Sequence, residues 1–275
     1  MNSGDVLNDI ISTGRSKFEL LDVTSMWFAD DELNIYGLNS RKILHIPSDQ
    51  LLKENPQIRV TEVEQSWFKV AYDADMKLYY NSLGLSQATE NRQFGVFDYN
   101  TKNLGAFGDY PLKDKGLHNN ELLIINQGEI AVNSNKKRLF YFSNYGLRFK
   151  VFDISNPYNI VLLEESIISE PTYTTKSKPE KQQYSIKWAD DSVRGALAMT
   201  SSPECYYVLC DGKKLVSDKN WMINTVYQFD WSGTPLKILE LNRDVQTISY
   251  NEQNNQLVAL STDEGGRYIF VSYDL

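Results

Sequence analysis

Short runs of aromatic and β-branched residues alternate with turn signals along nearly the whole chain. The pattern is plainest in the last fifty residues, VYQFDWSGTPLKILELNRDVQTISYNEQNNQLVALSTDEGGRYIFVSYDL. Their breaks are Trp231-Ser232-Gly233-Thr234-Pro235, then Asn251 to Asn255, then Gly265-Gly266. Runs of this length between such breaks predict short antiparallel strands joined by hairpins.

The pattern repeats upstream. Residues 3–14 read as a lone strand and a turn. Residues 27–46 (WFADDELNIYGLNSRKILHI) give three strands with turns at Asp30-Asp31 and Asn39-Ser40. A short helical turn in SDQLLKEN, closed by Pro56, leads to a fourth strand at 57–64. Later units comprise 70–82 with 94–108, 130–143 with 148–165, 197–210 with 226–241, and 248–261 with 267–275. The first hairpin turn of each unit falls at Asp30, Asp73, Asn133, Thr200 and Asn251, as four-stranded units of about 45 residues plus variable loops would place them. An aromatic–Asp pair ends the third strand in four units: Phe97-Asp98, Phe152-Asp153, Phe229-Asp230 and Tyr273-Asp274. The first unit has His45-Ile46-Pro47 instead.

Four-stranded units repeated radially predict an all-β fold, a β-propeller of antiparallel blades. Five blades are recognisable. The last stops after three strands, and the N-terminal strand at 5–12 is expected to supply its fourth and close the ring. A β-sandwich is the alternative. The Pro-, Lys- and Thr-rich stretch 169–183 (SEPTYTTKSKPEKQQ) has no apolar period and reads as a surface excursion, with an inter-domain linker as the alternative. The expectation is one domain spanning 1–275.

Composition narrows the partners. A net charge of −8 argues against nucleic acid and against an anionic membrane surface. No apolar run nears the roughly 18 residues of a bilayer span. The first five residues, Met-Asn-Ser-Gly-Asp, do not resemble a signal peptide, so a cytoplasmic protein and a mature or truncated chain are both open. Cys205 and Cys210 on one strand stand about 17 Å apart on opposite faces and cannot bridge each other. With only His45 and His118, a His-rich metal site is not expected, nor is any cofactor.

Three segments carry a family resemblance. Gly14-Arg15-Ser16-Lys17-Phe18-Glu19 is similar to a Gly-Arg-Gly-Pro-Gly-Glu-Phe segment, Cys205 to Lys213 (CYYVLCDGK) to a tyrosine-rich strand ending in a small residue, Gly and Lys, and residues 226–260 to a pair of closing blades. Together they resemble the TolB-like six-bladed β-propeller proteins of unassigned function. The resemblance implies six blades and a cell-envelope or periplasmic location, and carries over no catalytic residue. With five units visible, either this is a five-bladed variant or a blade is absent from this chain.

The strands of a blade, a to d, alternate in direction, so a–b and c–d turns share one face and b–c and d–a loops the other. The long loops 81–92, 110–120 and 211–224 fall on the second face, where binding residues are expected. Arg41, Arg92, Arg148 and Arg267 each stand where a b–c loop meets its third strand, and guanidinium groups suit carboxylate or phosphate ligands. The plainer alternative is pairing with solvent or a neighbouring blade. Tyr145 and Trp221 add aromatic surface. Asp22, Glu64, Glu129 and Asp244 flank the starts of innermost strands on the same face. Converging carboxylates there would suit a carbohydrate-active hydrolase or lyase, although salt bridges and solvated loop ends are the plainer explanation. Acidic turns such as Tyr72-Asp73-Ala74-Asp75 lack a calcium ligand ladder and are ordinary turn chemistry. The expected role is non-enzymatic: a monomer binding a small molecule or protein on the long-loop face, with the hydrolase or lyase as the alternative.

Overall fold

The computed structural model describes residues 11–83, 92–111, 116–181, 183–215 and 222–275. The chain is an all-β protein of the β-propeller class, with five blades built as antiparallel meanders. It divides into two compact units, Met1–Tyr110 and Pro111–Leu275.

The first unit holds two four-stranded blades. One comprises β1 (Ser25–Ala29), β2 (Glu32–Gly37), β3 (Lys42–Pro47) and β4 (Arg59–Glu62). Its first hairpin turns on Asp30 and Asp31, both left-handed at φ 54° and 59°, the geometry that suits the right-handed twist of paired strands. The other comprises β5 (Trp67–Asp73), β6 (Leu78–Leu83), β7 (Arg92–Asp98) and β8 (Asn103–Asp109). Trp67 is fully buried between the two blades. Its ring lies 4.9 Å from Phe97 and 5.6 Å from Tyr36 between centroids, and its backbone N–H donates to Tyr36 Oη at 2.8 Å. The helical turn expected after β3 is a single 3-10 turn, Ser48–Gln50, a segment too short to propagate a helix.

The second unit opens with α1 (Asn119–Ile125), where the sequence reading has only loop. Its cap is local. His118 Nδ1 accepts from Asn120 N–H at 3.2 Å, while Glu121 reaches back to accept from His118 N–H at 2.9 Å, a capping box with histidine in the serine position. The third blade follows: β9 (Gly128–Asn133), β10 (Arg138–Ser143), β11 (Leu147–Asp153) and β12 (Val161–Ser169). A hairpin arm, β13 (Tyr173–Thr175) with β14 (Ile186–Trp188), separates it from the fourth blade, β15 (Ala198–Ser201), β16 (Cys205–Leu209), β17 (Ile223–Asp230) and β18 (Pro235–Val245). The fifth comprises β19 (Thr247–Asn251), β20 (Gln256–Thr262) and β21 (Tyr268–Asp274), three described strands. Of the ring-closing strand expected at 5–12, residues 5–10 lie outside the described residues.

The repeat signature has a physical cause. In three of the four aromatic–Asp pairs the aromatic enters the core, Phe97, Phe152 and Phe229 being buried, whereas Tyr273 is half-buried. The Asp folds the next turn onto its own carboxylate. Asp98 Oδ1 accepts from Asn100 and Lys102 N–H at 2.9 Å each, Asp153 Oδ1 from Ser155, and Asp230 Oδ1 from Ser232 and Thr234 N–H. Asp73, Asn133 and Asn251 do the same at the a–b turns. These are side-chain-closed turns that leave the strands in register.

Two apolar clusters bind the blades of this unit. One joins Phe140, Phe142, Phe149 and Val151 to Tyr206, Val208, Cys210 and Phe229. The other joins Cys205, Tyr207 and Leu209 to Ile248, Leu257 and Ala259. The two cysteines are free and point into different clusters, as strand alternation requires. In the stretch 169–183, Ser169 ends β12 and Pro179–Lys181 forms a 3-10 turn within the arm, and the division between the two units falls at Tyr110/Pro111.

Candidate binding face

In the second unit, α1, the β10–β11 loop and the arm all connect strands at the b–c and d–a end. The β10–β11 loop, Asn144–Gly146, is stitched to the chain entering blade four. Gly195 N–H donates to Asn144 O at 2.9 Å, Ala196 N–H to Ser143 O at 2.8 Å and Gly146 N–H to Val193 O at 2.8 Å, and Asn144 Nδ2 reaches Ala196 O at 2.7 Å. Glycine is required at 195. A Cβ there would lie 2.0 Å from Ser143 O and 2.6 Å from Gly146 O.

Tyr145 is carried on this fixed loop. Its ring stacks on Trp188 of the arm, centroids 3.8 Å apart and planes 17° from parallel. Tyr173, paired across the arm with Trp188, meets that indole edge-on at 6.1 Å. The arm's far side is pinned to α1, where Tyr184 stacks on His118 at 4.2 Å. Because His118 Nδ1 accepts from Asn120, the neutral ring carries its proton on Nε2 and donates it to Tyr184 Oη at 3.2 Å. Burial pushes the Tyr145 phenol above the ordinary tyrosine range, so it works as a neutral hydroxyl and a ring face.

Beneath lie buried charges. Arg148, on β11, is 2% exposed. It donates through Nη1 to Asn126 Oδ1 at 2.9 Å, and through Nη2 to Ile125 O at 3.0 Å and Tyr145 O at 3.3 Å. Ile125 and Asn126 end α1, so the guanidinium sits where the helix presents unsatisfied carbonyls and negative dipole. Arg194 Nε lies 3.4 Å from Asp211 Oδ1, both side chains almost wholly buried, with the exposed Lys213 ammonium 3.9 Å from the same carboxylate.

The other arginines singled out from the sequence stand at their b–c junctions, each engaged within the chain. Arg41, left-handed at φ 50°, donates to Glu64 O at 3.2 Å. Arg92 pairs with Asp109 at 2.8 Å, and Arg267 with Asp263 at 2.9 Å. Trp221 lies outside the described residues, as do parts of the three long loops, at 84–91, 112–115 and 216–220. Asp22 and Glu64 belong to the first unit, Glu129 and Asp244 to the second. The Asp22 carboxylate accepts from the backbone and side-chain amides of Asn39, both at 3.0 Å. Glu129 is half-buried on β9, and Asp244 is exposed on β18. Among the described residues no group of three or more His, Cys, Asp or Glu could hold a metal ion.

Trp188, Tyr173 and Tyr184 were not singled out from the sequence. The available signal was their placement: aromatic residues at both ends of an otherwise polar stretch, Tyr173 before it and Tyr184 and Trp188 after it.

No family model matches the chain, and no curated protein matches it. Solved structures similar to it include a functionally unknown protein from Desulfotomaculum acetoxidans, at 12% identity over 92% of this chain and 70% of that one, TM-score 0.49. The nidogen/laminin complex is similar at 11% identity over 92% and 80%, TM-score 0.47. The β-propeller domain of Myceliophteria thermophila Cps50 (Swd1) is similar at 11% over 90% and 82%, TM-score 0.45. At these identities and scores no residue role passes from them to this chain.

Proposed function

We propose that this chain is a non-enzymatic binding protein whose recognition surface is the b–c and d–a end of its second unit, centred on Tyr145 and Trp188. The observation that supports this most directly is the stack itself. Two large rings are held face to face by a loop and an arm that the backbone fixes independently. Preset aromatic faces beside neutral hydroxyls suit a flat or apolar ligand group, a sugar ring or a peptide side chain, at low ordering cost. Arg148 and Arg267 belong to the same reading as supports of that end, Arg148 through α1, while Arg41 and Arg92 stand at the corresponding junctions of the first unit. Kinship with the TolB-like propeller proteins is part of the proposal and rests on the three segments quoted above.

The test is thermal unfolding with a panel of oligosaccharides and peptides, on the wild type and on Tyr145→Ala and Trp188→Ala. A ligand at a hundred times its Kd adds about 2.7 kcal/mol to the native state. The expected result is a shift with one ligand class that either substitution abolishes. Turnover of a saccharide, lost on replacing Glu129 or Asp244, would instead establish the hydrolase reading.

A further inference from the structure

The third blade has the strand order β12-β11-β10-β9, so one backbone edge of β12 carries no strand among the described residues. Sheet edges are usually kept short, charged or covered. β12 runs nine residues, VLLEESIIS. Five of its large apolar side chains are open, Ile168 the most at 69% and the others near half: Val161, Leu162, Leu163 and Ile167. Glu164 to Ile167 pair with β11 without interruption, so the middle of the edge is regular. β18, the matching edge of blade four, spreads Lys237, Glu240 and Arg243 along its length, whereas β12 confines its charge to the central Glu164-Glu165 pair.

A groove of about 500 Å³ follows one face of β12, a size typical of ligand sites. Glu164, Ser166 and Ile168, alternate residues of the strand, form one wall. Phe149 and Phe229 lie between, and the β17–β18 turn up to Pro235 forms the other side. The Glu164 carboxylate makes no ion pair or hydrogen bond among the described residues, whereas Glu165 on the opposite face is 3.4 Å from the Lys150 ammonium. An open carboxylate thus stands at one end of an apolar groove, in a protein of net charge −8.

We infer that β12 receives an extended segment of a partner protein as a further strand of its sheet, with a basic side chain opposite Glu164, a small one opposite Ser166 and a large apolar one opposite Ile168. Main-chain hydrogen bonds at the open edge supply affinity, and the alternate side chains in the groove supply selectivity. A second copy of this chain fits less well. The antiparallel register that sets Leu162-Leu163 against Ile167-Ile168 also sets Glu165 against Glu165, and like charges directly opposite are unfavourable. This site uses none of the Tyr145–Trp188 surface, so either proposal can fail alone.

The test titrates the full chain into a fluorescein-labelled peptide, Lys-Phe-Val-Thr-Thr-Lys-Val-Val-amide, and reads anisotropy. Read antiparallel to β12, its second residue faces Ile168 and its sixth faces Glu164. Saturable binding is expected. Changing the sixth residue to Glu should weaken it about tenfold or more, and the exposed Glu164→Lys substitution should reverse that preference. N-methylating alternate residues along the paired edge should abolish binding, a loss that a merely electrostatic attachment would not show. Absence of saturation by about 1 mM, equal binding of both peptides, or indifference to N-methylation would overturn the inference. So would sedimentation of the chain as a dimer that Leu163→Lys dissociates, since the edge would then belong to a second copy.

Discussion

Substituting alanine at Gly195 asks whether the β10–β11 loop is held by backbone contact alone. The added Cβ meets two carbonyl oxygens, Ser143 O at 2.0 Å and Gly146 O at 2.6 Å. Neither is a side-chain atom, so no rotamer change relieves the overlap, and the two segments must part by about an ångström in a close-packed region. Parting them costs the three backbone bonds from Gly195, Ala196 and Gly146, at about 1 kcal/mol each. It also loosens Ala196, fully buried in the apolar cluster between blades three and four, where overpacking adds about 1–2 kcal/mol. The sum is about 4–5 kcal/mol, a large part of the roughly 5–15 kcal/mol that holds a typical native domain. At about 2–4 °C per kcal/mol the melting midpoint should fall by about 8–20 °C. Circular dichroism melts of Gly195→Ala and Gly265→Ala make the comparison. Gly265 sits in an exposed turn where the nearest atom to a Cβ is a side-chain oxygen of Asp263 at 3.2 Å, and its change should stay within about 0.5 kcal/mol. If Gly195→Ala melts with the wild type, the loop is held by something other than this contact, and the support argued for Tyr145 is refuted.

Asp230→Ala removes the acceptor of two backbone amides and the Ser232 hydroxyl, and should lower the unfolding free energy by about 1–2 kcal/mol, read as a lower urea midpoint with an unchanged m-value; an unaltered midpoint would mean the turn closes without its carboxylate. The His45 imidazole is held down at about 4 by burial and then by the Arg59 charge, whereas an unfolded histidine takes its proton near 6.5. As pH falls from about 6.5 toward 4 the unfolded chain binds a proton the folded chain does not, so stability should drop by up to about 1.4 kcal/mol per pH unit and level off below. His45→Gln can still serve Asn34 and Thr61, the present partners at 2.6 and 2.8 Å, and should flatten that slope; a slope equal to the wild type's would assign it elsewhere.

The blades were legible because their signals are local. Alternating apolar runs set the strands, and an Asp or Asn one step past a core aromatic, as at Phe152-Asp153, closes the turn with its own side chain. Each decision needs only a few neighbouring residues. The candidate site was legible only in part. Tyr145 was singled out, but its stacking partner Trp188 lies 43 residues further along the chain, beyond a polar stretch whose composition resembles a flexible excursion. Arg148 was placed at the right junction, yet its burial depends on α1, and α1 is seven residues long. Its capping box uses His118 rather than serine or threonine, which hid the helix start. Side chains whose roles arise from docking between loops have no periodicity to read.

The two ends of the second unit's blades are therefore built on different chemistry, and the difference bears on where a ligand can bind. At the a–b and c–d end, Asn133, Asp153, Asp230 and Asn251 turn their polar atoms back onto adjacent backbone. Those carboxylates and amides are spent on closing turns. At the b–c and d–a end the connections are longer, and fixing them falls to contacts between loops: Arg148 on the end of α1, Gly195 against Ser143, Trp188 on Tyr145. Such contacts hold the backbone through buried atoms while leaving ring faces and hydroxyls half-exposed. An end fixed from beneath can present preset side chains outward without ordering them on binding. That is why the proposed ligand surface is the aromatic stack and not the acidic turns that dominate the sequence pattern.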